Sequence, residues 1–587
     1  MNQKEYFELQ AVYEKEGRAV EESIANVLRG SKRIDENALI SASYVLLRAE
    51  QDGIDLSSVE AFCDSAKVDE ERKAFLEANL GDVWPMVIGQ KGRYSVDALR
   101  SIILFHEERD ARMGGEVKTP VSVSHLACKL FDFHENDEIA DFCLGGGAFT
   151  TEAYLNHPTL RFYGVELNAS TKEIASIRLE TLGCSVVLER GDIFDINPDS
   201  RKYQHIFSNY PFGLRFRESD WMRKRVFQRI SRKATHFTKS VSSDWLFNAA
   251  IVECLTENGK GVAIMTGGSA WNTLDKPARK YFIENGYLEA VIALPEKLFE
   301  GTGIFTMMVI LSKNNERTML VDATGLCEKG RRFNAFTDAQ IEEIAFAVTH
   351  ETENSRYVSK AELISHDYLL NPARYLSEEI AVENGVPFAS IMKSITRGAA
   401  LKASELDEMA SETPTDCQYL MLANIQRGQI DDNLPYIKGI QNNQRKYCLK
   451  DRALILSKNG APFKIAVAKT RPGQTILANG NLYIIEIDEE KADPYFIKAF
   501  LESEKGAALL KSITVGATIP NIGVEALKGI LIPQIPLAEQ RALAERYLAK
   551  VDEIALYQRK LQQAYEELSH IYDSKEENDG RSWHGGT

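Results

Sequence analysis

Asn209-Tyr210-Pro211-Phe212 is the stretch whose residue types and order could do chemistry. The amide supplies a donor and an acceptor, the proline stiffens the turn, and the aromatic ring offers a flat face. Together they could hold one planar, hydrogen-bonding group, and a nucleobase fits. The tetrapeptide follows the apolar segment 203–207, which reads as a short buried strand. It therefore falls where a strand gives way to a loop, the place where open α/β sheets bind ligands.

Upstream elements carry further candidates. Residues 138–141 read as a strand ending in Asp141, followed by the loop Gly145-Gly146-Gly147 and a helical stretch from Thr151. Strand, glycine loop, helix is the opening of a βαβ unit in which glycines let a ligand approach the backbone. The next strand, 161–165, ends in Glu166, a position suited to ribose hydroxyls. A third strand, 185–188, leads to Gly191-Asp192-Ile193, where Asp192 could accept the amino group of an adenine and Ile193 could lie against its ring. The loop is not G-x-G-x-x-G, which counts against a dinucleotide. Acids at three successive strand ends, followed by Asn209, point to S-adenosyl-L-methionine as cofactor. Each acid alone is more often a solvated loop residue or a helix cap.

The ordered set 141–147, Glu166, Asp192 and 209–212 resembles the motifs of amino-group DNA methyltransferases of the N6-adenine class, in which cofactor motifs precede a catalytic Asn-Pro-Pro-Phe/Tyr. The segment 115–120, with Thr119-Pro120, is similar to that family's Gly-x-x-x-Thr-Pro, which lies over the methionine part of the cofactor. With 261–265, 288–295, 298–306 and 367–375 the pattern resembles the modification subunit of type I restriction-modification systems. The resemblance covers about 113–376. It implies that Asn209 Oδ1 and the next carbonyl accept the two amine hydrogens of a flipped adenine while Phe212 stacks on the base. Catalytic roles then fall on Asn209, Tyr210, Pro211 and Phe212, and cofactor roles on Thr119, Pro120, Asp141, Gly145, Gly147, Glu166, Asp192 and Ile193. This sequence departs from the family where Tyr210 replaces the usual first proline, where 141–147 reads Asp-Phe-Cys-Leu-Gly-Gly-Gly, and where Lys118 precedes Thr-Pro.

Between residues 215 and 239 there are nine Lys or Arg against Glu218 and Asp220. Placed directly after the tetrapeptide, Arg215, Arg217, Arg223, Lys224 and Arg225 read as a phosphate-gripping loop, with a solvated helix face as the bland alternative. Trp221, Phe227 and Phe237 interleave with the charges and could pack under the loop or meet an unstacked base.

At 587 residues the chain is long enough for several domains. A composition of 44% hydrophobic and 26% charged residues is that of a globular protein. The expected organisation is a helical domain over 1–112, a Rossmann-like α/β methyltransferase domain over 113–376, an α/β target-recognition domain over 386–535, a long helix over 536–572 and a disordered tail over 573–587. The recognition reading of 386–535 rests on its resemblance to one such domain of a type I specificity subunit. Apolar residues in the long helix recur at alternating three-and-four spacing, a coiled-coil seam interrupted by Gln558. Packing on its own chain and pairing as a homodimer both stay open. No apolar run is long enough to span a bilayer and the first residues do not read as a signal peptide, so a cytoplasmic protein with no membrane association is expected. Eight scattered cysteines without a Cys-x-x-Cys pair argue against a metal site or a disulfide framework. A net charge of −15 does not advertise a nucleic-acid binder by itself.

The reading is therefore a site-specific adenine-N6 methyltransferase acting on double-stranded DNA within a restriction-modification or defence system, with any nuclease on a separate restriction subunit. A catalytically silent DNA-binding or assembly module that keeps the fold is the alternative, and methylation of RNA or of a protein glutamine is a further one.

Overall fold

The computed structural model describes residues 1–29, 35–106, 117–214, 216, 224–233, 241–300, 302–376, 380–460, 462–515 and 521–570. The chain divides into two compact units, Met1–Leu376 and Ser377–Thr587. Among the described residues no helix is long and apolar enough to cross a membrane.

The first unit is built on one sheet. Its strands are β1 (Glu138–Phe142), β2 (Arg161–Glu166), β3 (Val186–Arg190), β4 (Tyr203–Ser208), β5 (Leu255–Thr266), β6 (Leu288–Ala293), β7 (Thr306–Leu311), β8 (Arg317–Asp322) and β9 (Ser355–Ser359). They lie in the order β3-β2-β1-β4-β5-β7-β6-β8-β9. From β3 to β5 every pairing is parallel. Beyond β5 the sheet is mixed, because β7 runs antiparallel between β5 and β6. Every residue of β7 is buried, as expected of a strand covered on both faces.

The alternation of side chains along the strands divides the core in two. Ala140, Phe142, Tyr163, Val165 and Ile206 face one cluster, which includes the helix Ser243–Cys254. Ile139, Phe162 and Phe207 face the other, which includes Phe149 and Ala153 of the helix Ala148–Asn156. The strand order steps outward in both directions from the β1/β4 pair, so that pair is the topological switch point, where the carboxyl ends of strands diverge and leave a crevice.

Residues before 106 are helical, as their three-to-four periodicity predicts, from Gln3–Val12 to Val96–Phe105. Their core does not close on itself: it takes in Ile174 and Ile177 of the helix Ala169–Leu182 that follows β2. The same helix supplies Glu173, which pairs at 2.6 Å with Arg72, both side chains being almost wholly buried. Removing one partner of a buried pair strands the other's charge, so this contact ties the helical region to the sheet rather than merely decorating it.

The second unit holds a four-stranded antiparallel sheet of Met392–Arg397, Leu482–Ile487, Leu454–Ser457 and Ile465–Val467, in that order, with smaller two-stranded pairings around it. The helix Leu537–His570 closes it. Its first half packs on the unit: Ala544 and Gln540 are buried, and Gln540 accepts the backbone N–H of Asp493 and donates to the carbonyls of Lys491 and Ile535. Its second half exposes Ile554, Leu561, Tyr565 and Leu568, each by more than half. The expected tail, 573–587, lies outside the described residues, as does 516–520.

Candidate active site

Strand pairing brings the candidates to one edge. Phe142 of β1 is level with Val165 of β2 and with Ser208 of β4. Cys143 and Asn209 therefore leave the sheet side by side, next to Glu166, the last residue of β2. Ser208 Oγ donates to the Phe142 carbonyl at 2.6 Å and fastens β4 to β1 where the tetrapeptide begins.

Asn209 is held by its amide nitrogen. Nδ2 donates to the Val117 carbonyl at 3.0 Å and to Thr119 Oγ1 at 2.9 Å. These bonds fix which way the amide faces. The other end, Oδ1, is buried and has no hydrogen-bond partner among the described residues. A buried amide oxygen left without a donor costs about 1–3 kcal/mol, so such atoms mark places where a ligand completes the count. The Thr119-Pro120 segment thus orients the amide, and Pro120 caps the following helix, Val121–Lys129. Gly115 and Glu116 lie outside the described residues.

The other tetrapeptide residues face inward. Tyr210 is 1% exposed, stacks on Phe247 at 4.7 Å and 10°, and donates its hydroxyl to Asn248 Oδ1 at 3.1 Å. Burial pushes its phenol well above the usual range. A ring filling the core anchors this position where a proline would have stiffened it. Phe212 is 9% exposed and meets Phe299 edge to face at 5.7 Å, so this conformation presents little ring face to a stacked base.

The glycine loop is tight. Cys143, Gly145 and Gly147 all have positive φ, at 62°, 55° and 80°. Only glycine adopts this routinely, and a Cβ on Gly145 would meet nothing within 4 Å. The space over Gly145 is open to a ligand. The Gly145 amide donates to Glu166 Oε2 at 2.9 Å and the Asn168 amide to Oε1 at 2.8 Å, so the carboxylate ties the loop to the end of β2. Each oxygen keeps a further lone pair for an incoming hydroxyl. Leu167, directly after Glu166, is 67% exposed, an apolar face at the mouth of the site that the sequence reading passed over.

Asp141 is 3% exposed and accepts Thr150 Oγ1 at 2.8 Å. Burial raises its carboxyl to about 8, the Thr150 hydroxyl opposing and the Glu166 charge assisting. Between pH 4 and 8 the folded protein therefore holds a proton that the unfolded chain has lost, and stability falls as pH rises. Relative to Asp141→Asn, whose amide does not titrate, wild type should lose up to about 1.4 kcal/mol per pH unit across that window. Urea unfolding of both proteins at pH 5.5 and 7.5 checks this; a pH-independent difference would remove the buried proton.

Asp192 caps a turn, accepting the Phe194 amide at Oδ1 at 3.0 Å. Its other oxygen is taken by Lys224 Nζ at 2.9 Å, and Lys224 also pairs with Asp195 at 2.6 Å. The carboxylates hold its ammonium above the usual range. Two sequence expectations change here. Lys224 is not a free phosphate contact but occupies the acid expected to receive an adenine amine. Ile193 is 4% exposed within the core and offers little cover to a ring. Arg225 is exposed at the start of the helix Arg225–Lys233, whose Val226, Phe227 and Ile230 are buried, and the Phe227 ring lies 4.9 Å from that of Phe194 in the core. Arg215, Arg217, Arg223, Trp221 and Phe237 lie outside the described residues.

Thr150, Asn168 and Asn248 were not singled out from sequence. Only Asn168 carried a signal, since an asparagine two residues after a strand-end acid and ahead of a helical run is an N-cap; its side chain accepts the Ser170 and Thr171 amides.

Residues 101–384 match the family described as N-6 DNA Methylase. Over 315 residues the chain is 24% identical to the type I restriction enzyme HindI methylase subunit of Haemophilus influenzae, covering 49% of this chain and 70% of that one. Over 290 residues it is 25% identical to the MjaVIII methylase subunit of Methanocaldococcus jannaschii, covering 45% and 50%. The chain spans about half the length of that relative and of the MjaVII methylase subunit of the same organism. Among solved structures, a nuclease-deletion mutant of the Type ISP restriction-modification enzyme LlaGI, in complex with a DNA substrate mimic, aligns with a TM-score of 0.50 at 12% identity, covering 87% of this chain and 62% of that one. At that identity the likeness speaks for the fold alone.

Proposed function

We propose that this protein, whose residues 101–384 match the N-6 DNA Methylase family and resemble type I restriction methylase subunits, transfers a methyl group from S-adenosyl-L-methionine to N6 of an adenine flipped out of duplex DNA. The observation that carries the reading is Asn209 Oδ1, a buried acceptor held in place by its own amide nitrogen and left without a donor among the described residues.

The exocyclic amine of adenine is a weak nucleophile because its lone pair is delocalised into the ring. Asn209 Oδ1 accepts one amine hydrogen and the Tyr210 carbonyl the other, which draws the nitrogen towards tetrahedral geometry and returns the lone pair to it. That is orientation with electrostatic stabilisation, requiring no covalent nucleophile. When bound, S-adenosyl-L-methionine supplies an electrophilic methyl group on a sulfonium. The residues present fit that cofactor: Glu166 has lone pairs for ribose hydroxyls, the space over Gly145 is open, Leu167 offers the apolar face expected of Ile193, and Asp192 can accept an adenine amine once Lys224 moves. Burning away a purified preparation's ambiguity takes one assay: methyl transfer to unmethylated duplex DNA followed by mass spectrometry of the nucleosides. N6-methyladenine is expected, and its absence would sink the proposal.

Lys224 gives a sharper expectation. Because its ammonium and the cofactor's adenine amine need the same Asp192 oxygen, Lys224→Met should tighten binding of S-adenosylhomocysteine several-fold by calorimetry. The deaminated inosine analogue, which lacks the amine, should show no such gain. Equal gains for both would place the effect elsewhere than on Asp192.

In the same reading the second unit is a recognition domain that reads a short site, the exposed half of the helix Leu537–His570 pairs with a second copy, and any nuclease resides on a separate subunit in the cytoplasm. The pairing is supported by Ile554, Leu561, Tyr565 and Leu568, an exposed seam at heptad spacing. Sedimentation should show a dimer for wild type and a monomer for Leu561→Glu with Leu568→Glu; the same species in both would end the dimer idea.

A further inference from the structure

One end of the four-stranded sheet in the second unit gathers two cations and two amides. Antiparallel pairing sets Arg397 opposite Tyr483 and Ser457 opposite Leu482. The end of Met392–Arg397, the end of Leu454–Ser457 and the approach to Leu482–Ile487 therefore share one rim. Arg397 Nε donates to the Gly480 carbonyl at 2.6 Å, which leaves the outer prongs of the guanidinium fork unspent on that bond. The Lys458 amide donates to the Asn481 carbonyl at 2.7 Å, and Asn459 Nδ2 donates to Asn481 Oδ1 at 3.3 Å.

The arrangement is cationic without compensation. Among the described residues neither Arg397 nor Lys458 forms an ion pair, in a chain carrying a surplus of fifteen negative charges. Burial and the neighbouring Arg397 guanidinium both push the Lys458 ammonium below its usual range. Placing two like charges together without an acid is unfavourable in the free protein and becomes favourable when an anion arrives. The amides add what a simple anion does not need. The Asn459–Asn481 bond leaves Asn459 Oδ1 as an acceptor and Asn481 Nδ2 as a donor, the two functions that complement N6–H and N7 of adenine in a major groove.

We propose that this rim, Arg397 and Lys458 with Asn459 and Asn481, is a duplex-DNA contact of the second unit, the cations gripping phosphates and the amide pair reading a base edge. The proposal deepens the recognition role given to this unit and rests on it.

The test uses the full-length protein and two measurements. Fluorescence anisotropy with a mixed-sequence duplex over a range of salt reports the phosphate contacts: Arg397→Gln with Lys458→Gln should lower the slope of log affinity against log salt by about 1.8, at about 0.9 per lost contact. Sequencing of methylated bases in DNA from cells expressing each variant reports the base contact: Asn459→Ala with Asn481→Ala should relax the methylated motif at one or two adjacent positions. Arg397→Lys keeps the charge and should keep the slope, which separates lost contact from lost fold; wild-type melting temperature and cofactor affinity are expected in every variant. Variants indistinguishable from an active wild type in both slope and motif would overturn the rim alone. A wild-type protein that binds no duplex would overturn the recognition role as well, whereas one that binds duplex without methylating it would overturn only the proposed activity.

Discussion

Asn209→Ala should reduce methyl transfer to DNA by at least about 10²–10³-fold, the usual cost of removing one preorganised partner of a developing charge. Cofactor affinity should change little, because the glycine loop, Glu166 and Asp192 are held by bonds that do not pass through the amide. Asn209→Asp makes the argument stricter. It keeps an acceptor at Oδ1 but replaces the Nδ2 donor with a second oxygen, which then faces the Val117 carbonyl. A carboxylate there must turn or take up a proton, so Asp should not restore activity. Steady-state methylation with a radiolabelled donor, beside calorimetry for the cofactor, separates the two effects. Undiminished transfer by Asn209→Ala would dismiss this residue from the chemistry.

Arg279→Met should produce the largest loss of stability of the substitutions considered. Arg279 is 1% exposed and donates to the carbonyls of Tyr368 at 2.8 Å, Asn272 at 2.8 Å and Ser269 at 3.1 Å. Burial lowers its guanidinium to about 10, with Asp275 and Asp367 opposing. Methionine fills much of the volume but donates nothing, leaving the Tyr368 and Asn272 carbonyls short of a partner at about 1–3 kcal/mol for each that water cannot reach, while the Ser269 carbonyl keeps the Trp245 indole N–H at 3.0 Å. The Tyr368 carbonyl matters further, because Asp367 and Tyr368 are consecutive non-glycine residues with positive φ, at 60° and 58°. Such conformations persist only where surrounding structure over-determines them. A fall of about 3 kcal/mol or more in unfolding free energy is expected from urea denaturation, and less than about 1 kcal/mol would mean that the carbonyls find other donors.

The 367–375 segment had been noticed in the sequence only as part of a family pattern; the bond from Arg279 to Tyr368 supplies a physical reason for it. Other features were legible for reasons of chemistry. The strands that lead to Asp141, Glu166, Asp192 and Asn209 announce themselves by short apolar runs and by the glycines between them, and a parallel sheet follows from their alternation with helices. What pairing decides was not legible. Nothing local to Lys224 distinguishes a phosphate-gripping lysine from one bound to Asp192 and Asp195, since those acids come from another strand end. Ile193 and Phe212 were assigned to a ligand because of their position after an acid and a proline, yet the core claims most of each. Conversely Leu167 drew no attention as one more apolar residue after Glu166, and only the end of β2 exposes it. The seam of Leu537–His570 was read as one object, whereas its first half is already spent on the unit it closes.

The antiparallel insertion of β7 has a bearing on how the chain is made. Strands β3, β2, β1 and β4 with the helices Ala148–Asn156, Ala169–Leu182 and Ser243–Cys254 are complete once residue 254 has left the ribosome, and they can close on one another in the order of synthesis. The place between β5 and β6 cannot be filled until residues 306–311 emerge, so two largely buried strand edges wait for a later, wholly apolar neighbour. A nascent chain stalled between residues 293 and 306 would carry a finished parallel half beside an open seam, an invitation to chaperones and to mispairing with other chains.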